Sequence, residues 1–222
     1  DCRACWTSPK GYKVVGMDAS GLELRMLAHY MNDEAYTNEI LTGDIHTANQ
    51  LASGVDTRSQ AKTFIYAFLY GAGDAKIGSI VGGTARDGRR LKEKFLSNTP
   101  SLRSLRERVG VSASRGYVFG LDRRRVYVRS EHSALNTLLQ SAGAIVMKKA
   151  LCLLDEYASA WNIDYKFIGN IHDEIQTEVR EDEADVFGRL AVSCIEAAGT
   201  YYKLNCPLAG EYQVGDNWSE TH

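Results

Sequence analysis

Asp18-Ala19-Ser20-Gly21-Leu22-Glu23-Leu24-Arg25 is the stretch from which the rest of the chain can be read. It follows an apolar run, Val14-Val15-Gly16-Met17, that predicts a buried strand ending at the aspartate. Behind it Leu22, Met26, Leu27 and Tyr30 recur at helical spacing and predict an amphipathic helix. A carboxylate at the tip of a buried strand, with a helix starting behind it, can hold a cation. Taken alone, Asp18 would serve equally as a helix cap or a salt-bridge partner. Far along the chain a second carboxylate pattern, Ile171-His172-Asp173-Glu174-Ile175, sits inside another apolar strand pattern. Two strand-borne carboxylates suit a two-metal site, in which ions roughly 3.5–4 Å apart bracket a phosphoryl displacement. Glu23 falls one turn into the helix and can point toward the same ions; pairing with Arg25 or capping the first turn is its alternative.

The second informative stretch runs from Arg58 to Tyr70. Arg58, Lys62, Tyr66 and Tyr70 recur every four residues and form a stripe along one helix face. Phe64, Ile65, Phe68 and Leu69 occupy other faces and can anchor the helix to a core, and Gly71-Ala72-Gly73 ends it. Two cations followed by two aromatics in line suit a nucleoside triphosphate, with cations on phosphates and rings on sugar and base. An amphipathic surface helix with solvated cations would show the same spacing.

Composition sets the class. The chain has 222 residues, 44% hydrophobic and 24% charged, with three prolines, which is the make-up of a folded globular protein of one or two domains. Its longest uninterrupted apolar runs fall far short of the ~18 residues of a membrane span. It opens without methionine or an apolar leader, and is expected to be a piece of something larger. Five cysteines at irregular spacing fit reduced thiols, and Cys2-x-x-Cys5 lacks a convincing second pair for zinc. Net charge is −2, yet residues 86–129 hold 13 Lys or Arg against four Asp or Glu. That block can follow a phosphate backbone, or it can be a solvated face.

The remaining elements follow in order. Residues 32–55 read as broken helix and include Gly43-Asp44-Ile45-His46; residues 74–116 read as short helices interrupted at Gly82-Gly83, Gly88 and Pro100. Tyr117 to Val128 predicts a strand pair turning at Gly120-Leu121-Asp122. A long helix is expected from about Ser133 to Ala158, with Asn136 and Gln140 on one face. Tyr165 to Val179 predicts a hairpin with His172, Asp173 and Glu174 near its bend, followed by a helix over about 183–198 and a short tail strand.

In this order, Asp18 to Arg25, Arg58 to Gly71 and His172-Asp173-Glu174 resemble three motifs of the family A DNA polymerases, the group of bacterial DNA polymerase I, in their C-terminal part. Gly43-Asp44-Ile45-His46-Thr47, Asn136 through Gly143, and Asn217-Trp218 near His222 are similar to the same family, and to its phage replicative branch. The resemblance covers nearly the whole chain and implies an α+β right-hand polymerase. Residues 1–31 and 117–222 would form the palm, an antiparallel sheet backed by helices, and residues 32–116 an inserted helical fingers subdomain. The implied reaction adds deoxynucleotides to a primer 3′-hydroxyl on a template and releases pyrophosphate.

By the same resemblance, Asp18, Asp173, Lys62 and Glu174 would form the catalytic set. Asp18 and Asp173 would bind two Mg²⁺ ions, with the Ala19 carbonyl as a further ligand. Arg58, Lys62 and His46 would grip the triphosphate, Lys62 protonating the leaving pyrophosphate, while Tyr66 and Tyr70 line the sugar and base site. Glu23 with Tyr70 would exclude a ribose 2′-hydroxyl. His172 would lie at the primer terminus with Glu174, and Asn136 and Gln140 would face the duplex minor groove. The partners implied are primer-template DNA, deoxynucleoside triphosphates and a second chain carrying the thumb and N-terminal part, in a cytoplasmic setting (the host's, if phage-encoded), with no membrane. The family's thumb, exonuclease domain and upstream arginine segment are not among these residues. Arg123 stands where relatives often have glycine, and the fingers look short around 108–116. A catalytically silent nucleic-acid-binding remnant of the same fold is the alternative, and the intact Asp18, Asp173, Arg58, Lys62 and Tyr66 speak against it.

Overall fold

The computed structural model describes residues 2–222. In chain order its first elements are β1 (Tyr12–Ala19), α1 (Leu22–Met31), α2 (Glu34–Leu41), α3 (Ile45–Ser53), α4 (Arg58–Leu69), α5 (Asp74–Ser79), α6 (Ala85–Asn98) and α7 (Pro100–Ala113). Then come β2 (Tyr117–Phe119), β3 (Arg125–Tyr127), α8 (Ala134–Ala160), β4 (Tyr165–Ile171), β5 (Glu174–Arg180), α9 (Ala184–Tyr201) and β6 (Gly210–Gly215). The chain divides into two compact units, residues 1–23 with 142–222, and residues 24–141.

The first unit is built on an antiparallel sheet of order β4-β5-β1-β6. β1 is central, and Val14, Val15 and Met17 are almost fully buried, so both faces are covered, as the continuous apolar run requires. The register sorts the faces. Met17 pairs with Ile175 on one side and Tyr212 on the other, and this face meets α9, where the Tyr212 ring lies against Gly188. Phe187, Ala191, Ile195 and Ala198 of α9 are buried there. The opposite face carries Gly16 and Asp18, paired with Gln176 and Glu174 on β5 and with Gln213 and Glu211 on β6. A polar sheet face opposite an apolar one follows from the period of two along each strand.

The second unit is helical. α4 begins with a capping box in which Thr57 and Gln60 exchange hydrogen bonds, and it buries Phe64, Ile65, Phe68 and Leu69. Phe64 and Phe68 meet Phe95 of α6 edge-on at 5.2 and 5.4 Å between centroids. Gly82-Gly83 separates α5 from α6, and Pro100 opens α7, both as the sequence predicts. Gly88 corrects it: rather than ending a helix, it lies inside α6. A Cβ there would run into the Asp74 carbonyl oxygen, so glycine lets α5 and α6 touch backbone to backbone. Gly88→Ala is therefore expected to cost about 1–3 kcal/mol by forcing these helices apart, read from urea denaturation midpoints.

β2 and β3 form the expected hairpin, pairing Tyr117 with Tyr127 and Phe119 with Arg125. Arg123 sits in its turn at φ 66°, a conformation that glycine adopts without steric cost. α8, two residues longer at its C-terminal end than expected, has with its leading turn (Glu131–Ala160) the length and composition to cross a membrane. Its Leu139, Ala142, Val146, Met147 and Ala158 are almost fully buried, however, as in a core helix.

Candidate active site

In the first unit the site grows from the end of β1. Asp18 stands in register between Glu174 of β5 and Glu211 of β6, so like charges face one another on both sides. The β4–β5 turn is His172-Asp173, with His172 exposed at φ 57°, and the Asp173 carbonyl accepts from the Ala19 amide at 3.2 Å. Backbone pairing thus joins the two carboxylate motifs. Burial, and then the carboxylates of Asp173, Glu211, Glu174 and Glu23, push the Asp18 carboxyl up to about 7. Burial raises Asp173 as well, with Glu23 and Glu174 adding to it.

Glu174 is treated differently from these two. It is buried, and its Oε1 accepts from Gln176 Nε2 and Trp218 Nε1, each at 2.6 Å, while Oε2 lies 2.6 Å from His222 Nδ1. Gly16 lets the 218–222 segment pass over the sheet, since a Cβ there would meet the Thr221 carbonyl oxygen. Gly16, Asp18, Asp173, Glu174, Glu211 and His222 line a cavity of about 210 Å³.

Among the described residues no three His, Cys, Asp or Glu converge as a ready-made metal cage. The donor set nevertheless fits Mg²⁺, a hard cation that is commonly held by one or two carboxylates with substrate phosphates completing its shell. Half-buried carboxylates that resist ionising are what such a charge would relieve.

In the second unit the stripe on α4 meets the start of α3. Asp44 caps α3, accepting from the His46 and Thr47 amides, and its carboxylate takes Arg58 in a two-point contact, Nε at 2.6 Å and Nη2 at 3.1 Å. His46 lies half-exposed with its ring 6.4 Å from that of Tyr66, and its Nδ1 is buried without a hydrogen-bond partner. Burial lowers the His46 pKa, and the cations of Arg58 and Lys62 lower it further. Tyr70, just past the end of α4, is exposed, and its hydroxyl accepts from Gln140 Nε2 at 3.4 Å. Asn136 is half-exposed on α8.

The fold thus gathers His46, Arg58, Lys62 and Tyr66 in one unit, and Asp18, Ala19, Asp173, Glu174 and Glu23 in the other. Sequence reasoning missed Glu211, whose only signal is its place in a tail strand, and His222, Trp218 and Gln176 as the holders of Glu174. It also missed Asp44 as the partner of Arg58.

The family model for DNA polymerase family A matches residues 1–220. The chain is 44% identical to the DNA-directed DNA polymerase of Enterobacteria phage T3 and 43% identical to that of Escherichia phage T7, each over 96% of this chain and 34% of the relative. It therefore spans about a third of the length of these phage relatives. DNA polymerase I of Pseudomonas aeruginosa is 28% identical, over 99% of this chain and 26% of that protein. A solved structure, the POL domain of Pol1 from M. smegmatis in complex with DNA primer-template and dNTP, superposes with a TM-score of 0.87 at 22% identity, covering 99% of this chain and 42% of that one. The fold is accordingly the α+β fold of a polymerase domain, and the chain belongs to DNA polymerase family A.

Proposed function

We propose that this protein extends a DNA primer on a template, transferring deoxynucleotides to the primer 3′-hydroxyl with release of pyrophosphate. The observation that carries the reading is the carboxylate cluster at the tip of β1, where Asp18 is held up to about 7 by burial and like charge. Such a cluster is strained without a cation and suited to one. Asp18 and Asp173, with the Ala19 carbonyl, would hold two Mg²⁺ ions, which when bound would make the primer hydroxyl more acidic and neutralise the triphosphate.

The chain's own residues do the rest. Arg58, Lys62 and His46 bind the phosphates, and the Lys62 Nζ gives a proton to the departing pyrophosphate oxygen. Tyr66 and Tyr70 receive the sugar and base, and Glu23 with Tyr70 crowds out a 2′-hydroxyl. Asn136 and Gln140 touch minor-groove acceptors, which are alike for every base pair and so report correct pairing rather than sequence. His172 and Glu174 border the primer terminus. The basic block of residues 86–129, all in the second unit, supplies charge for the DNA backbone. In this reading residues 1–31 and 117–222 belong to the palm and residues 32–116 to the fingers, so the second unit holds the fingers together with residues 24–31 and 117–141 of the palm. A further part carrying the thumb would complete the enzyme, this sequence spanning 34% of its phage relatives. A cytoplasmic setting agrees with five cysteines held as reduced thiols.

The test is primer extension on primed DNA with Mg²⁺ and four deoxynucleotides, alone and with an N-terminal part supplied, using Asp18→Ala as control. Extension lost in the control supports the reading. A control as active as wild type, or no extension even with the N-terminal part, refutes it. A second expectation concerns Tyr66, whose phenol stands in for a missing 3′-hydroxyl. Tyr66→Phe should discriminate against dideoxynucleotides by on the order of 10²-fold, the scale of one charge-assisted hydrogen bond. Equal dideoxy incorporation by both proteins would remove Tyr66 from that role.

A further inference from the structure

We infer that Asp44 is a positioning residue that aims the Arg58 guanidinium at the incoming triphosphate. The inference rests on the phosphate-binding reading of Arg58 given above. A guanidinium carries five N–H groups in a rigid planar fork. Asp44 engages one on Nε, at 2.6 Å, and one on Nη2, at 3.1 Å. That leaves three, among them the outer pair on Nη1 and Nη2, whose spacing matches two oxygens of one phosphate.

Asp44 cannot easily swing away from this pose. Its Oδ1 also accepts from the His46 and Thr47 amides at 3.1 and 3.4 Å, and its Oδ2 from the Thr47 hydroxyl at 2.9 Å. The first turn of α3 therefore fixes the carboxylate, and the carboxylate fixes the arginine. Arg58 first, and then those donors, hold the Asp44 carboxyl well below the usual carboxylate range.

The contact has a second consequence on α4. Arg58 is the first residue of that helix, where a positive charge opposes the helix dipole. A neighbouring carboxylate offsets this, so the cation is held where it would otherwise be disfavoured. His46 follows Asp44 by two residues, and its imidazole feels both Arg58 and Lys62. One carboxylate thereby sets two groups of the phosphate grip, the arginine through its side chain and the histidine through the helix cap.

Charge alone would assign Asp44 the opposite effect, since a carboxylate repels a triphosphate. Its charge is already met by the guanidinium and the α3 donors, so removing it releases little attraction. What is lost is order in a long side chain exposed to solvent, and ordering such a side chain is worth about 3- to 10-fold in affinity.

The test is calorimetric titration of dATP with Mg²⁺ into the full chain as wild type, Asp44→Asn, Arg58→Lys and the double variant. Asparagine keeps an oxygen for the helix cap, and lysine keeps the charge without the fork. The expected result is dATP binding weakened about 3- to 10-fold in Asp44→Asn, with no further loss when Asp44→Asn is added to Arg58→Lys. In wild type the Arg58 Nε–H resonance should stay in place as dATP is added, because Asp44 keeps its hold on that edge. Equal or tighter binding in Asp44→Asn overturns the inference, as does the same loss in the Arg58→Lys background, which would mark a helix-cap effect. Arg58→Lys binding as wild type, or a wild type that binds no dATP, overturns both this inference and the phosphate role of Arg58. Weaker binding in Arg58→Lys with an unaffected Asp44→Asn overturns this inference alone.

Discussion

Asp18→Asn is expected to abolish the proposed primer extension, by on the order of 10³-fold or more, and at the same time to make the protein more heat-resistant above pH 7. The two effects share one cause. Asp18 is half-buried between Glu174 and Glu211 in register, with Asp173 at the adjoining turn, and burial first, then these carboxylates, push its carboxyl up to about 7. Its ordinary value is 3.8, so between these two values the folded protein holds a proton that the unfolded chain has released. Stability from this group is complete below about pH 4 and is lost as pH rises through about 7. Asp173 is raised too, and its contribution has the same sign. Without divalent cations, the wild-type melting temperature should therefore fall from pH 5 to pH 8, and Asp18→Asn should flatten that slope. The same amide removes the charge that a divalent cation would meet, and a lost metal contact is worth several kcal/mol of transition-state stabilisation. Melting curves at pH 5, 6, 7 and 8, paired with extension assays, check both halves. A variant with wild-type pH dependence would remove Asp18 from the centre of the charge cluster.

Lys62→Met is expected to lower the proposed nucleotide incorporation about 10²- to 10⁴-fold, the usual contribution of a positioned general acid such as the one proposed for Lys62. Lys62 is exposed on α4, one turn past Arg58, and away from the buried Phe64 and Ile65. Methionine has a similar helix propensity, so α4 and its aromatic packing should survive. The loss should appear mainly in the maximal single-turnover rate at saturating deoxynucleotide, with a smaller loss in affinity, because a proton donor acts on the leaving group. A maximal rate within twofold of wild type would deny Lys62 that role. A loss confined to affinity would leave it as a phosphate contact only.

The sequence by itself determined the elements and the motifs, because both are local. The run Val14 to Met17 is apolar at every position, and it became the central strand covered on both faces. The stripe from Arg58 to Tyr70 followed from a period of four, and the bend at His172-Asp173 from apolar strand patterns meeting at polar residues. The family too was legible, since motif order survives where overall identity falls.

Only the tertiary structure decided which groups surround these motifs. Glu211 stands beside Asp18 because β6 pairs with β1 in one register, and a shift of one residue would have turned it to the α9 face. Gln176, Trp218 and His222 enclose Glu174 because the 218–222 segment crosses the sheet where Gly16 makes room. Gly88 reads as a helix breaker in one dimension and is a helix contact in three. Asp44, which the sequence shows only as part of Gly43-Asp44-Ile45-His46, is by structure both the cap of α3 and the holder of Arg58. Hydrophobic period and turn chemistry act between near neighbours along the chain. Register, close approach and the balance of buried charge arise between residues far apart in it, and nothing local fixes them.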